Sequence, residues 1–581
     1  MNRKHSIGTI LQFEVRQTAI ACLVMLSSLT TLAPEVALAV AGYESTDRPS
    51  EWRPGLPYYK PSSPPEGFEL PQIPKAEEQP LLDNTRLKVK SFQLSGNTVF
   101  STEVLQGLIT EFLAQHAVNG ELALDEVELL RKALSNYYIS RGYVNSGAKI
   151  TGYEKDTATV VVQIVEGRIQ DIVIRGAGGL TTDYIRSRLL ADEHAPFNIQ
   201  ELQENFQLLL NDPLLDGMNG KIRPGDEPGQ AILDLDIQRA KPYGVTTFTD
   251  NYRPPSIGAV GAGASGWVRN MTGLGDTFAL TVVGSGGSMR YSGGYSIPLF
   301  GTKALGYVNF DEGNSQVVES SFQNLNIKSQ VHIGEIGASY PLIDTLRRRL
   351  VIGALFSIRA NDTSVLGQPY SFVPGVVGGY TQVTVARTYQ EYTERWARHA
   401  LSIRNTLSFG MDALGATPAK ENFPSSQFVS WLLQTQYAYL LNDEGAQVIL
   451  RENLQLTNHP LLPLERIAVG GASTVRGYRT NFMVRDEGYT LSAELRYPLE
   501  SFSFMDYPVL VTVYPFTDFG EAWDLGGPRN QIWSVGSGIN FRYVDLQADL
   551  NYGYALIRPH YSAIRDIQDE GVYFRVTYEA L

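Results

Sequence analysis

The sequence predicts an all-β membrane protein: an outer-membrane β-barrel of about sixteen strands preceded by two small α+β units. Three observations predict it. The chain opens on an export-type leader, yet no later run reaches the ~18 to 20 apolar residues that a membrane-crossing helix needs. From residue 244 onward, segments of about ten residues alternate apolar and polar positions between glycine-, asparagine- and aspartate-rich connections. Between leader and barrel, one order of elements occurs twice. An exported chain without apolar helices has one other way to cross lipid, a closed barrel that pairs every backbone group.

Residues 1–39 read as a signal peptide: basic Arg3, Lys4 and Arg16, the apolar stretch Thr18 to Ala33, then small residues at Ala37 and Ala39. Cys22, the only cysteine, lies inside that apolar stretch and not at its end, which argues against lipidation. The exported chain then uses neither disulfides nor thiol chemistry. Residues 40–85 are crowded with proline and read as an extended linker.

Residues 86–168 form the first unit, with the order β-α-α-β-β. "VKSFQLSG" is a strand and Ser101 a helix cap, and Leu105, Leu108, Ile109 and Phe112 mark one helical face. Val127, Leu130, Leu134 and Tyr137 mark a second helix, and "AKITGY" and "TATVVVQIVEG" close a hairpin. Residues 169–243 repeat that order. "IQDIVIRG" precedes a helix from Thr182, and Asn198 with Glu201 resembles a capping box. Leu202, Phe206, Leu209 and Leu210 face inward, and "AILDLDIQR" turns Leu233, Leu235 and Ile237 inward.

Residues 244–581 are the barrel. In "YVDLQADLNYGYAL", Leu546, Ala548, Leu550, Tyr552 and Tyr554 share one face, and Asp545, Gln547, Asp549 and Asn551 the other. "YTLSAELRYPL" sets Leu491, Ala493, Leu495 and Tyr497 opposite Ser492, Glu494 and Arg496. Tyrosine near the ends of the apolar face and charge on the opposite face fit aromatic girdles around a wet lumen.

Composition excludes several function classes. A formal charge of −13 argues against nucleic acid as a partner, and 54 glycines with only 19% charged residues set the chain apart from an ordinary soluble enzyme. "GAGASG", Gly261 to Gly266, matches a dinucleotide-loop pattern but lies in strand-like surroundings. There is no phosphate-binding G-x-x-x-x-G-K-[ST], no G-x-S-x-G, and the seven histidines are scattered. No catalytic residue, metal or cofactor is expected.

The sequence does single out a loop. Residues 458–486, between the eleventh and twelfth strands, hold Leu461, Leu462, Leu464, Ile467, Val469 and Val475, too apolar for a loop in water. The loop carries Val475, Arg476, Gly477 and Tyr478, and a packed arginine needs an acid. In "VLVTVYPFTDFGEAW", Val509, Val511 and Val513 point to lipid, and Phe516, Asp518 and Gly520 point into the lumen as wall, carboxylate and gap. A loop folded into the lumen sets Arg476 against Asp518, with Glu494 as a second acceptor.

V-R-G-Y in a late loop, F-x-D-x-G after it and tandem β-α-α-β-β units before it resemble the two-partner secretion transporters, the TpsB family of the POTRA-bearing barrels. "SGNTVF", "NMTGLGD", "YSIPLFG" and "GYTLSAELRYPL" also match. The resemblance implies a sixteen-stranded outer-membrane barrel with two periplasmic POTRA domains, and a pore loop whose Arg476 is held by Asp518. It implies as partners a large secreted exoprotein with an N-terminal secretion domain, outer-membrane lipid, and the barrel assembly machinery during biogenesis. The alternative is an assembly and insertion factor of the same superfamily, a group that generally carries more POTRA units. Two features depart from the pattern: a plug helix is not legible in residues 42–84, and the last aromatic is Tyr578, three residues from the end.

Overall fold

The computed structural model describes residues 68–69, 86–190, 195–420, 423–559 and 565–580. The leader expected over 1–39 lies outside the described residues, as does the linker of 40–85 apart from Phe68–Glu69.

In the first unit, strand Thr159–Val165 lies between the parallel strand Ser91–Ser95 and the antiparallel strand Gly147–Glu154. Helices α1 (Thr102–His116) and α2 (Leu124–Ile139) pack on this sheet. Leu105 and Ile109 of α1 meet Val127, Leu130 and Leu134 of α2 over Val160, Val162 and Ile164. Each such buried side chain contributes about 1.5–3 kcal/mol. On the α2 stripe Tyr137 packs against the core half-buried, and Tyr138, which the spacing did not name, is the fully buried residue. Leu134 to Tyr138 is a step of four, which continues the buried face, whereas Tyr137 lies under the Arg141 guanidinium, 3.5 Å from its ring. Ser101 occupies the cap position of α1 without a side-chain capping bond.

The second unit adds strand Arg168–Arg175, helices α3 (Thr182–Leu189) and α4 (Ile199–Leu210), and the hairpin Leu215–Pro224 and Gln230–Arg239. Its core holds Leu202, Phe206, Leu209, Leu233, Leu235 and Ile237. The α4 cap rests on Asn198, which accepts the Gln200 N–H at 2.9 Å. Phe68–Glu69 pairs in parallel with Gly220–Lys221 on the outer edge of this sheet.

The remaining strands close into one antiparallel barrel. They are β1 Tyr243–Asp250, β2 Gly261–Arg269, β3 Thr277–Ser285, β4 Ser288–Pro298, β5 Leu305–Gln316, β6 Lys328–Asp344, β7 Arg348–Val365 and β8 Tyr380–Arg395. The ring continues with β9 His399–Met411, β10 Val429–Leu440, β11 Gln447–Thr457, β12 Glu487–Pro498, β13 Tyr507–Trp523, β14 Asn530–Tyr543, β15 Leu546–Ala555 and β16 Val572–Glu579. Two short pieces, Gln368–Pro369 and Phe502–Phe504, extend hairpins whose flanking strands pair directly, which leaves sixteen staves. β16 closes on β1 over Thr246–Asp250, where Asn251 accepts the Phe574 N–H and donates to the Val572 carbonyl. Among the described residues no helix is long and apolar enough to cross a membrane.

Burial in the barrel is inverted relative to the two units. Leu491, Leu495, Tyr497, Leu550, Tyr552 and Tyr554 are exposed on the outside, while Glu494, Asp518 and Asn551 are buried within. Gly261 to Gly266 lie in β2, with strand partners on both sides and no helix after them. On β13, Val511 and Val513 lie opposite the Phe516 and Asp518 face as expected. Val509 corrects the expectation: it is buried, because it sits in register between Phe502 of the extra hairpin piece and Tyr543 of β14.

The second unit docks on one rim of the barrel. The Thr181 N–H donates to the Gly273 carbonyl at 2.9 Å, Arg269 Nη1 to the Pro213 carbonyl at 3.0 Å, and the Leu346 N–H to Glu204 at 3.1 Å. These contacts use the β2–β3 and β6–β7 connections and the end of β2. Strands run alternately, so the β11–β12 loop, residues 458–486, leaves from the opposite rim.

Candidate functional site in the barrel lumen

The β11–β12 loop turns back into the lumen. Leu461, Leu462, Leu464, Val469 and Val475 are buried and Ile467 is half-buried, so the loop carries an apolar core of its own. A two-stranded ribbon, Ile467–Val469 with Met483–Arg485, stiffens its stem. Asp486 ties down the base: it accepts the Leu461 N–H at 2.9 Å and pairs with Arg466 at 3.2 Å.

Arg476 sits at the tip, 6% exposed, over a wall built by β12 and β13. Its Nε and Nη2 donate to the two Asp518 oxygens at 2.7 and 2.8 Å, a bidentate fork, and its backbone N–H donates to the same carboxylate at 3.1 Å. Nη1 lies 2.8 Å from Glu494, and Nη2 also donates to Ser492 Oγ at 3.3 Å. The guanidinium carbon is 3.4 Å from the Phe516 ring centroid, a cation–π contact out of water.

The remaining motif residues make the fit. A Cβ on Gly520 would come within 2.5 Å of Val469 and 2.8 Å of Val475, so the missing side chain is the space the loop fills. Gly477 has a positive φ of 92° and lies against Gly553 of β15, where a Cβ would sit 2.6 Å from the Gly477 nitrogen. Tyr478 is fully buried. Its hydroxyl accepts the Trp533 N–H at 3.1 Å and lies 2.8 Å from the Trp533 and Ile557 carbonyls, and its own carbonyl accepts from the Tyr573 hydroxyl. The structure therefore brings Val475, Arg476, Gly477, Tyr478, Phe516, Asp518, Gly520 and Glu494 into one cluster.

Sequence reasoning missed two further holds. Arg479, one residue past the motif, pairs with Asp569 at 2.5 Å and Glu319 at 3.0 Å, which joins the loop to its neighbours at that rim. Glu465 pairs with Arg387 of β8 at 2.6 Å on a different part of the wall. Strand parity would have placed Arg359 and Arg387 in the lumen, but nothing local to Glu465 names its partner.

Residues 229–543, more than half of the chain, match the family described as haemolysin secretion/activation protein ShlB/FhaC/HecB. The chain belongs to that family. Residues 87–167 match the ShlB-type POTRA domain. Among curated relatives, the outer membrane transporter CdiB of Dickeya dadantii is 24% identical over 64% of this chain and 66% of that one. The heme/hemopexin transporter protein HuxB of Haemophilus influenzae strain 86-028NP is 25% identical over 75% of this chain and 79% of its own length. The solved structure of CdiB from Escherichia coli superposes with a TM-score of 0.68 at 18% identity, covering 88% of this chain and 92% of that chain, a likeness of fold. The protein is thus an outer-membrane transporter of the two-partner secretion type, with its POTRA region on the periplasmic side.

Proposed function

We propose that the loop 458–486 is the gate of a pore for an unfolded exoprotein, and that the Arg476 cluster holds it in place. The observation that carries this reading is the fork from Arg476 to Asp518, buried with Glu494 and Phe516 at the tip of an apolar loop inside the lumen. A loop so placed obstructs the path that the cargo must take, and the ionic cluster sets how firmly it stays there. Removing one member strands the others at a cost of about 3–5 kcal/mol.

In this reading residues 1–39 are the signal peptide, 40–85 the linker, 86–168 and 169–243 two POTRA domains, and 244–581 the barrel. The repeated element order and the docking of the second unit on the barrel rim support that division. The POTRA sheets offer edges on which an extended chain adds as a strand. The cargo is a large secreted exoprotein with its own N-terminal secretion domain. Outer-membrane lipid and the barrel assembly machinery are the partners of insertion. The protein carries out no chemistry of its own, and folding of the cargo outside the cell draws it through.

The test is Arg476→Ala with the cargo followed in the medium. The variant barrel inserts and stays heat-modifiable, while export falls at least about tenfold. Export at the wild-type level would remove the loop from the mechanism.

A further inference from the structure

Glu465 is 2% exposed, at the end of the single turn Pro463–Glu465, and is as deeply buried as the tip arginine. One carboxylate oxygen accepts from Arg387 Nη2 at 2.6 Å, and the other lies 3.6 Å from Arg359 Nη1. Arg387 is braced by Ser408 Oγ at 3.1 Å, and Arg359 is paired with Glu335 at 2.8 Å. Two arginines and two glutamates, from β6, β7, β8 and the loop, thus meet with almost no access to water. Leu464 packs beside it on Val331 and Ile333 of β6.

The polarity is the reverse of that at the tip. There the loop supplies the cation and the wall the acids; here the loop supplies the acid and the wall the cations. The two walls also differ. Arg387 lies on β8 and Asp518 on β13, five strands apart in a ring of sixteen. Between them the chain passes from Glu465 through the Ile467–Val469 stem to Arg476.

We infer that Glu465 is a positioning residue, a second ionic foothold that holds the first half of the loop on β7 and β8 independently of Arg476. The inference rests on the reading of this loop as the gate and gives the gate two fastenings. A gate fastened at two separate walls by opposite charges is released in halves: losing one foothold frees one half and leaves the other seated. Opposite polarities also keep the footholds from exchanging, since the Arg476 acids would repel Glu465 and the Arg387 site would repel Arg476.

Cysteine labelling in a Cys22→Ser background tests this without reference to export. Leu464→Cys reports on the first half of the loop and Val475→Cys on the tip, each probed with a membrane-impermeant maleimide on the inserted, heat-modifiable barrel. Glu465→Gln, which keeps the shape and removes the charge, raises labelling at 464 by about tenfold and leaves 475 protected. Arg476→Ala does the reverse. The exchange Glu465→Arg with Arg387→Glu restores protection at 464, which a purely steric role for Glu465 would not allow. Labelling at both positions in either variant would show one cooperative fastening and overturn the inference, as would protection of 464 in Glu465→Gln. Normal export by Arg476→Ala would instead overturn the gate reading and leave the labelling result standing.

Discussion

The two α/β units and the barrel are built on opposite interiors. In the units the largest fully buried side chains include Tyr138, Phe206, Leu105, Leu134 and Ile185; in the barrel they include Arg359 and Arg387, and on another part of the wall Asp518 and Ser534 are also at no exposure. The units hold together because apolar surface leaves water. In the lumen, desolvated charges such as Arg290, Arg359 and Arg476 face counter-charges at hydrogen-bond distance, and the apolar surface is turned outward. A core of the first kind tolerates any well-shaped apolar neighbour, whereas a core of the second kind fails when one member goes missing.

The sharpest way to break the contrast is in the soluble core. Phe206, fully buried between α4 and the second sheet, is replaced by alanine at a cost of about 3–5 kcal/mol, which is most of the stability of so small a unit. The outcome is a proteolytically labile second unit beneath a barrel that still shows its heat-modifiable form on a gel; a protease-resistant variant would contradict this. Inside the barrel, Arg290 of β4 forks onto Asp311 of β5 at 2.8 and 2.6 Å, both buried. Arg290→Leu strands Asp311 and destabilises the barrel by about 3 kcal/mol, read as a lowered unfolding midpoint. The double variant Arg290→Leu with Asp311→Leu recovers most of that loss, because the two charges removed cancel. A double variant as weak as the single one would mean that the lumen needs the pair itself and not merely its neutrality.

The same contrast explains what the sequence made legible. Alternation along β12 and β15 revealed the barrel because each strand has one lipid face and one wet face, and helical spacing revealed the units because their stripes are apolar. Arg476 and Asp518 were legible together because an arginine in an apolar loop demands an acid and Asp518 sits on the lumen face of its strand. Glu465 was not legible. Its partners Arg387 and Arg359 lie 78 and 106 positions earlier, and only closure of the ring brings β7 and β8 to the loop. Tyr138 was not legible beside Tyr137 because the helical stripe allows steps of three or four, and both residues pack on the core, Tyr138 the more deeply. Val509 was assigned to lipid because parity along β13 says nothing of an extra hairpin piece beside it.

Glu166 is where the two rules meet, a carboxylate used inside a soluble unit in the manner of the lumen. It accepts the Thr98 and Val99 N–H groups at 2.7 and 2.8 Å and the Tyr138 hydroxyl at 3.0 Å, which ties the end of the central strand to the loop before α1. Burial raises its pKa, but the bonds from Thr98 and Val99 outweigh that, and the net shift is below the ordinary glutamate value of 4.5. Because the folded pKa is depressed, the stabilisation is complete above 4.5 and is lost as pH falls through the folded value. Glu166→Gln therefore destabilises the first unit by about 1–2 kcal/mol at neutral pH, and it flattens the decline in thermal midpoint between pH 5 and pH 3. A variant with the same acid decline as the parent would place the pH dependence elsewhere. The effect is smaller than that at Arg290 because Glu166 keeps partial access to water and its partners are neutral, so losing its charge leaves no opposite charge stranded.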